Sequence, residues 1–179
     1  SASEAPILKP FVKVSEQLGL FAGQLMPLNF DEIAIDYVGD VSDYNCAPIT
    51  SAAVAGVLSS TLPDINMVSA PTIARDKGIA ITETKKDEYS AYESYIRINL
   101  VSKKEKFSIG GTIFSDGQPR IVQINGINLE AGLMPNMLYV TNKDVPGLIG
   151  SLGNILGDEK INIASFNLGR TGPLKDAIA

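Results

Sequence analysis

Residues Asn142–Ser165 read "NKDVPGLIGSLGNILGDEKINIAS", and this stretch decides the fold class. A polar start passes through Pro146 and Gly147 into an apolar stripe of Leu148, Ile149, Leu152, Ile155 and Leu156 at helical spacing. Upstream, "MLYVT" (137–141) predicts a buried strand. Downstream, "INIASFNL" (161–168) predicts a second, Gly169 marks a turn, and "KDAIA" (175–179) opens a third. Strands alternating with a helix make this end an α+β unit. Asp144 stands close to the helix start, where a carboxylate can cap free N–H groups. Pro146 costs little in a first turn, where its missing N–H has no intrahelical partner anyway. Gly147 leaves room for a ligand or another backbone. Free N–H groups at a helix start suit a carboxylate, and Asp144, if not taken up by capping, suits an ammonium. That combination fits a free amino acid. The same residues also fit a plain strand-to-helix turn, with Gly150, Gly153 and Gly157 letting the helix lie close on a sheet.

Further upstream the chain reads as helices and strands in mixed order. Ile7, Phe11, Val14, Leu18, Phe21, Ala22 and Leu25 recur at spacings of three and four, which predicts an amphipathic helix over 6–26, ended by Pro27. Ile33, Ile35 and Tyr37 alternate with polar residues up to Gly39, as in a half-buried strand. "PITSAAVAGVLSSTL" (48–62) predicts a second helix whose small residues pack closely on a neighbour. "NMVSAPTIARDKG" (66–78) predicts a short helix stopped at Gly78, and "IAITETK" (79–85) a strand. "SYIRINLVS", "KFSIGGTIFS" and "RIVQING" follow as strands, joined by hairpin turns at Asp116-Gly117 and Asn125-Gly126. "EAGLMPN" has no periodicity of either kind, which puts a domain boundary there. The expected domains are 1–134 and 135–179, and the fold class is α+β with an antiparallel or mixed sheet covered by helices.

The bulk composition excludes several functions. The chain has 179 residues, 45% hydrophobic and 20% charged, enough for a packed core. Its net charge of -5 argues against nucleic acid and against anionic membrane surfaces. Its apolar runs are too short to span a bilayer. With a single cysteine, Cys46, no internal disulfide forms, and a reducing, cytoplasmic setting is expected. There is no histidine, which removes the commonest general base and metal ligand. No G-x-G occurs, so no dinucleotide fingerprint is present. No catalytic residue, metal site or cofactor site is expected in this chain.

Taken together, these segments resemble the long form of the D-3-phosphoglycerate dehydrogenase family. "NKDVPGLIGSLGNILGDEKINIASFNLGR" resembles the start of its ACT domain, and "FVKVSEQLGLFAGQL" the helix after its nucleotide-binding domain. "INMVSAPTIARDKGI" resembles its "VNAP" segment, and "GGTIFSDGQPRIVQINGINLEA" its "GT-F…PRIV-I-G" hairpin. The resemblance implies that 1–134 is an intervening, allosteric substrate-binding-like domain. It implies that 135–179 is the first half of a ferredoxin-like βαββαβ ACT domain. L-serine is then expected as effector, at Asn142, Asp144, Gly147 and Ile149, with Asn162 contributed by a partner chain. The implied partners are serine and further copies of the chain, joined through both domains. The cofactor of the longer protein is NAD. Arg120 resembles a basic residue of an anion site in the intervening domain, although the family's second basic residue is replaced by Glu130, Ala131, Gly132 and Leu133. The alternative reading is the beta portion of an iron–sulfur L-serine dehydratase, or another enzyme regulated by an ACT domain.

Overall fold

A computed structural model describes residues 5–87, 90–172 and 175–179. Residues 1–4, Glu88 and Tyr89 of the expected first domain, and Pro173 and Leu174 of the second, lie outside them. The first helix, α1, spans Ala5–Leu25 and buries Leu8, Val14, Leu18 and Ala22. Ile7 and Leu25, expected on the buried stripe, are exposed. They stand at the two helix ends, where each lines an open surface groove instead. The second helix, α2, spans Ala47–Ser59 and is buried almost throughout. The expected close packing of its small residues is observed. Cβ atoms built at Gly19, Gly23 and Gly56 fall 2.3, 2.2 and 2.1 Å from the carbonyl oxygens of Ala53, Val57 and Glu16. The two helices therefore meet backbone to backbone, and only glycine fits at the crossing.

Under these helices lies a six-stranded sheet: β1 Glu32–Gly39, β2 Ala80–Lys86, β3 Ser94–Val101, β4 Lys106–Ile113, β5 Pro119–Ile124 and β6 Ile127–Gly132. The order is β2-β1-β3-β4-β5-β6. The β1–β2 pair is parallel and the others are antiparallel. The parallel crossover from β1 to β2 runs through α2 and the short helix α3, Ala70–Asp76. Ile33, Ile35 and Tyr37 of β1 are fully buried, as their alternation requires. Asn125 and Gly126 take φ values of 47° and 78°, the left-handed pair of a tight hairpin turn. Glu130, Ala131 and Gly132 are the end of β6 rather than aperiodic chain. Ala131 pairs with Ile121 there and is buried.

A polar chain runs from the buried Tyr37 of β1 and Thr50 of α2 out to the exposed Glu83 of β2. The Tyr37 hydroxyl lies 2.6 Å from Thr50 Oγ1, which in turn donates to Glu83. Burial, the main cause, pushes the Tyr37 hydroxyl far above the usual tyrosine range. The folded state holds this proton more tightly than the unfolded chain does. Its contribution to stability is therefore complete below about pH 10, the unfolded tyrosine value, and declines as pH rises past it. Chemical denaturation across alkaline pH should give a falling midpoint, with a shallower fall in Tyr37→Phe. An identical slope in that variant would assign the alkaline loss elsewhere.

The second sheet is small. It contains β7 Thr141–Lys143, β8 Gly169–Arg170 and β9 Asp176–Ile178, in the order β7-β9-β8 and antiparallel throughout. Helix α4, Leu148–Asp158, connects β7 to the segment before β8. A third strand inserted between two strands that a helix connects is the split βαβ arrangement of a ferredoxin-like fold.

Three expectations fail here. "MLYVT" forms a strand only at Thr141. "INIASFNL" forms none, and Gly169 lies in β8 rather than in a turn. The central strand explains the first two. β9 is three residues long, and its neighbours can pair only along that length. The ladder gains one more step, an exchange of backbone hydrogen bonds between Val140 and Ala179. Apolar side chains beyond the ladder stay uncovered, with Leu138 59%, Ile163 41% and Phe166 39% exposed. The small sheet rests on the main body through Ile178, which is buried in the main core, and the segment leading into β7 does so through the Tyr139 ring, edge-on to Phe21 of α1 at 5.7 Å. Gly169 sits where a Cβ would fall 2.7 Å from the Asn128 carbonyl oxygen.

Candidate functional site

The site is built at the turn from β7 into α4. The Asp144 N–H donates to the Lys175 carbonyl at 2.8 Å, so Asp144 continues the ladder with the segment that enters β9. Gly147 is the N-cap of α4, with φ 102° and ψ -17°. That left-handed conformation is strained for any residue with a side chain, so glycine is required there. No side chain caps the helix. Two sequence expectations change as a result. Asp144 does not cap α4, and Pro146 lies before the N-cap rather than in the first turn. The first N–H groups of α4 lack intrahelical partners, as at any helix start.

The Asp144 carboxylate is held from across the sheet. Arg170 Nη1 donates to Asp144 Oδ2 at 3.2 Å. The register makes this reach possible. Asn142 and Arg170 both pair with Ala177 of β9, from opposite sides, so the three residues form one row across the sheet. Strands in such a sheet are about 4.8 Å apart, and the small Ala177 lets the arginine cross the row. Asn142 is half-buried. Its Nδ2 donates to the Lys143 carbonyl at 2.6 Å, while its Oδ1 is buried without a hydrogen-bond partner. A buried acceptor left unpaired is costly.

These residues line one open cleft of about 490 Å³, with Asn142, Asp144, Gly147 and Ile149 on its wall, together with Leu168 and Arg170. The structure thus brings four of the five expected effector residues together. Asn162 is not among the lining residues of this chain; it lies exposed in the extended segment after α4. Gly150, Gly153 and Gly157 do not serve close packing, since a Cβ at each would meet nothing within 4 Å. Arg120 is outside the cleft. It pairs with Asp116 at 3.0 Å and lies over the Phe114 ring, inside its own hairpin. Cys46 is buried, and burial raises its thiol pKa, so it stays protonated and unreactive. Sequence reasoning missed Arg170 and Leu168. The only signal was an arginine closing the apolar run "INIASFNLGR", and only the register of β9 links it to Asp144.

Residues 7–125 match the family model of the D-3-phosphoglycerate dehydrogenase intervening domain. This chain belongs to that family. The intervening-domain match covers α1 through β5, the body on which the cleft-bearing segment rests. Over a longer span, the chain is 32% identical in 173 residues to D-3-phosphoglycerate dehydrogenase of Synechocystis sp., which covers 96% of this chain and 31% of the relative. It is 30% identical in 164 residues to the Bacillus subtilis dehydrogenase, covering 91% of this chain and 31% of the relative. The Methanocaldococcus jannaschii dehydrogenase is 34% identical in 169 residues, covering 93% of this chain and 32% of the relative. The chain therefore spans about a third of the length of the relatives it matches. Of the two families weighed from the sequence, the family model and these relatives give the dehydrogenase. Among the described residues no helix is long and apolar enough to cross a membrane.

Proposed function

We propose that this chain is the regulatory C-terminal part of a longer, cytoplasmic, NAD-dependent D-3-phosphoglycerate dehydrogenase, acting in the first step of L-serine biosynthesis. Its β7–α4 cleft takes L-serine as effector. In this reading residues 1–134 are the intervening domain and residues 135–179 the first part of an ACT domain. Both contribute to self-association, and the dehydrogenase chemistry and NAD belong to the rest of the longer protein. Arg120 remains a candidate for an anion site in the intervening domain.

The observation that carries the serine reading is the convergence of Asn142, Asp144, Gly147 and Ile149 on one cleft. Serine offers an ammonium, a hydroxyl and a carboxylate. Asp144 matches the ammonium, Asn142 on the same wall is a polar partner for the hydroxyl, and the bare helix start favours negative charge. The exposed apolar side chains of this segment favour a partner surface, in line with Asn162 serving the cleft of a second copy. Serine acts as a regulator only if it binds one arrangement of the paired chains better than another.

Asn162→Ala in the full-length enzyme should weaken serine inhibition roughly ten-fold or more, the value of a hydrogen bond to a charged ligand. Turnover without serine should be nearly unchanged. Equal inhibition of variant and parent, measured by NADH-coupled rates over a serine titration, would remove Asn162 from the site.

A further inference from the structure

We infer that Arg170 is a specificity-determining residue of the cleft, selecting zwitterions by exchanging its ion pair with Asp144 for the carboxylate of the ligand. The inference rests on the amino-acid reading of the cleft and adds a residue and a selection rule to it. The two charges already face each other at 3.2 Å on the cleft wall, and their side chains are unequally held. Asp144 is 19% exposed and Arg170 60%. The carboxylate is the more buried partner and the guanidinium the more exposed one. An ion pair this exposed holds little stability, so opening it is easy.

A ligand with one charge cannot open the pair cleanly. An amine that takes Asp144 leaves Arg170 beside it, like charge against like charge. A carboxylate that takes Arg170 leaves Asp144 half-buried and unpaired. A zwitterion replaces both halves at once. Its ammonium takes Asp144, and its carboxylate takes the guanidinium, whose planar fork accommodates two carboxylate oxygens where the present pair uses one nitrogen. The register agrees, since Arg170 and Asn142 flank Ala177 in one row of the sheet and both line the cleft. Asn142 stands on the same cleft wall.

The test is calorimetric titration of the full-length protein with four probes: L-serine, glycine, ethanolamine (no carboxylate) and 3-hydroxypropanoate (no amine). The parent protein should bind the amino acid far more tightly than either single-charge probe. Arg170→Gln should lose roughly ten-fold or more for L-serine while binding ethanolamine as well as the parent or better, because Asp144 is no longer occupied. Arg170→Lys, which keeps the charge without the fork, should fall between them. A purely structural arginine would change L-serine and ethanolamine by the same factor, and that result overturns the inference. So does unchanged serine binding in Arg170→Gln, although it would leave the serine reading standing. Arg170-dependent binding of glycine without serine would keep the inference and remove serine as the effector. Binding of none of the four by the parent would remove both. Arg170→Lys guards against a folding defect, since a variant that still binds ethanolamine at parent strength is folded at the cleft.

Discussion

Gly56→Val should unfold this protein at a markedly lower temperature than the parent. The Cβ atom alone would fall 2.1 Å from the Glu16 carbonyl oxygen and 2.9 Å from the Leu20 nitrogen, both backbone atoms that cannot rotate away. Inserting atoms into a well-packed contact costs about 1–3 kcal/mol, occasionally more. Here the whole α1–α2 crossing must separate, so about 3 kcal/mol is the expected loss. For a chain of this size that corresponds to a drop of roughly 6–12 °C in melting temperature. Gly150→Ala is the matched control. It places a methyl group where nothing lies within 4 Å, inside α4. Alanine is the better helix former by about 1 kcal/mol, so this variant should melt at or slightly above the parent temperature. Circular-dichroism melts of the three proteins side by side decide the point. Equal melting of Gly56→Val and parent would mean that α1 and α2 do not meet at this distance.

Asp144→Asn should produce the largest functional loss of any single substitution in the cleft. The change removes the carboxylate expected to meet the ligand ammonium, and it also frees the Arg170 guanidinium that the carboxylate holds at 3.2 Å. The ammonium would then face a neutral amide in place of its counter-ion. A hydrogen bond to a charged group is worth about 1.5–3 kcal/mol, so the expected loss reaches roughly a hundred-fold in serine affinity. Basal turnover of the full-length protein should hold, because the proposed function places the reacting atoms outside this cleft. The comparison is a serine titration of inhibition in parent and variant. Loss of turnover in step with loss of inhibition would point instead to a folding role for the Asp144–Arg170 pair.

Most of the large sheet was legible in the sequence, because its signals are local. Alternation at Ile33, Ile35 and Tyr37, the Asn125-Gly126 turn and the small residues of "PITSAAVAGVLSS" each dictate their element without help from distant chain. The small sheet was less legible for a physical reason. "MLYVT" and "INIASFNL" carry strand-like composition, but strand formation requires a paired neighbour, and β9 offers three residues. Four cleft residues could be identified because they share one turn. Arg170 could not, since its link to Asn142 runs through the pairing of both with Ala177. Capping was misassigned to Asp144 for a similar reason: local sequence places a carboxylate near a helix start but gives no sign of a competing cation arriving from another strand.

The central claim is that the β7–α4 cleft holds L-serine. A crystal structure of the full-length protein grown with saturating L-serine tests it most directly. The expected result is one serine per cleft, its ammonium within hydrogen-bond distance of Asp144, its carboxylate toward Arg170 and its hydroxyl facing Asn142 or the first turn of α4. An ordered serine elsewhere with this cleft empty, or no ordered serine at all, would contradict the claim.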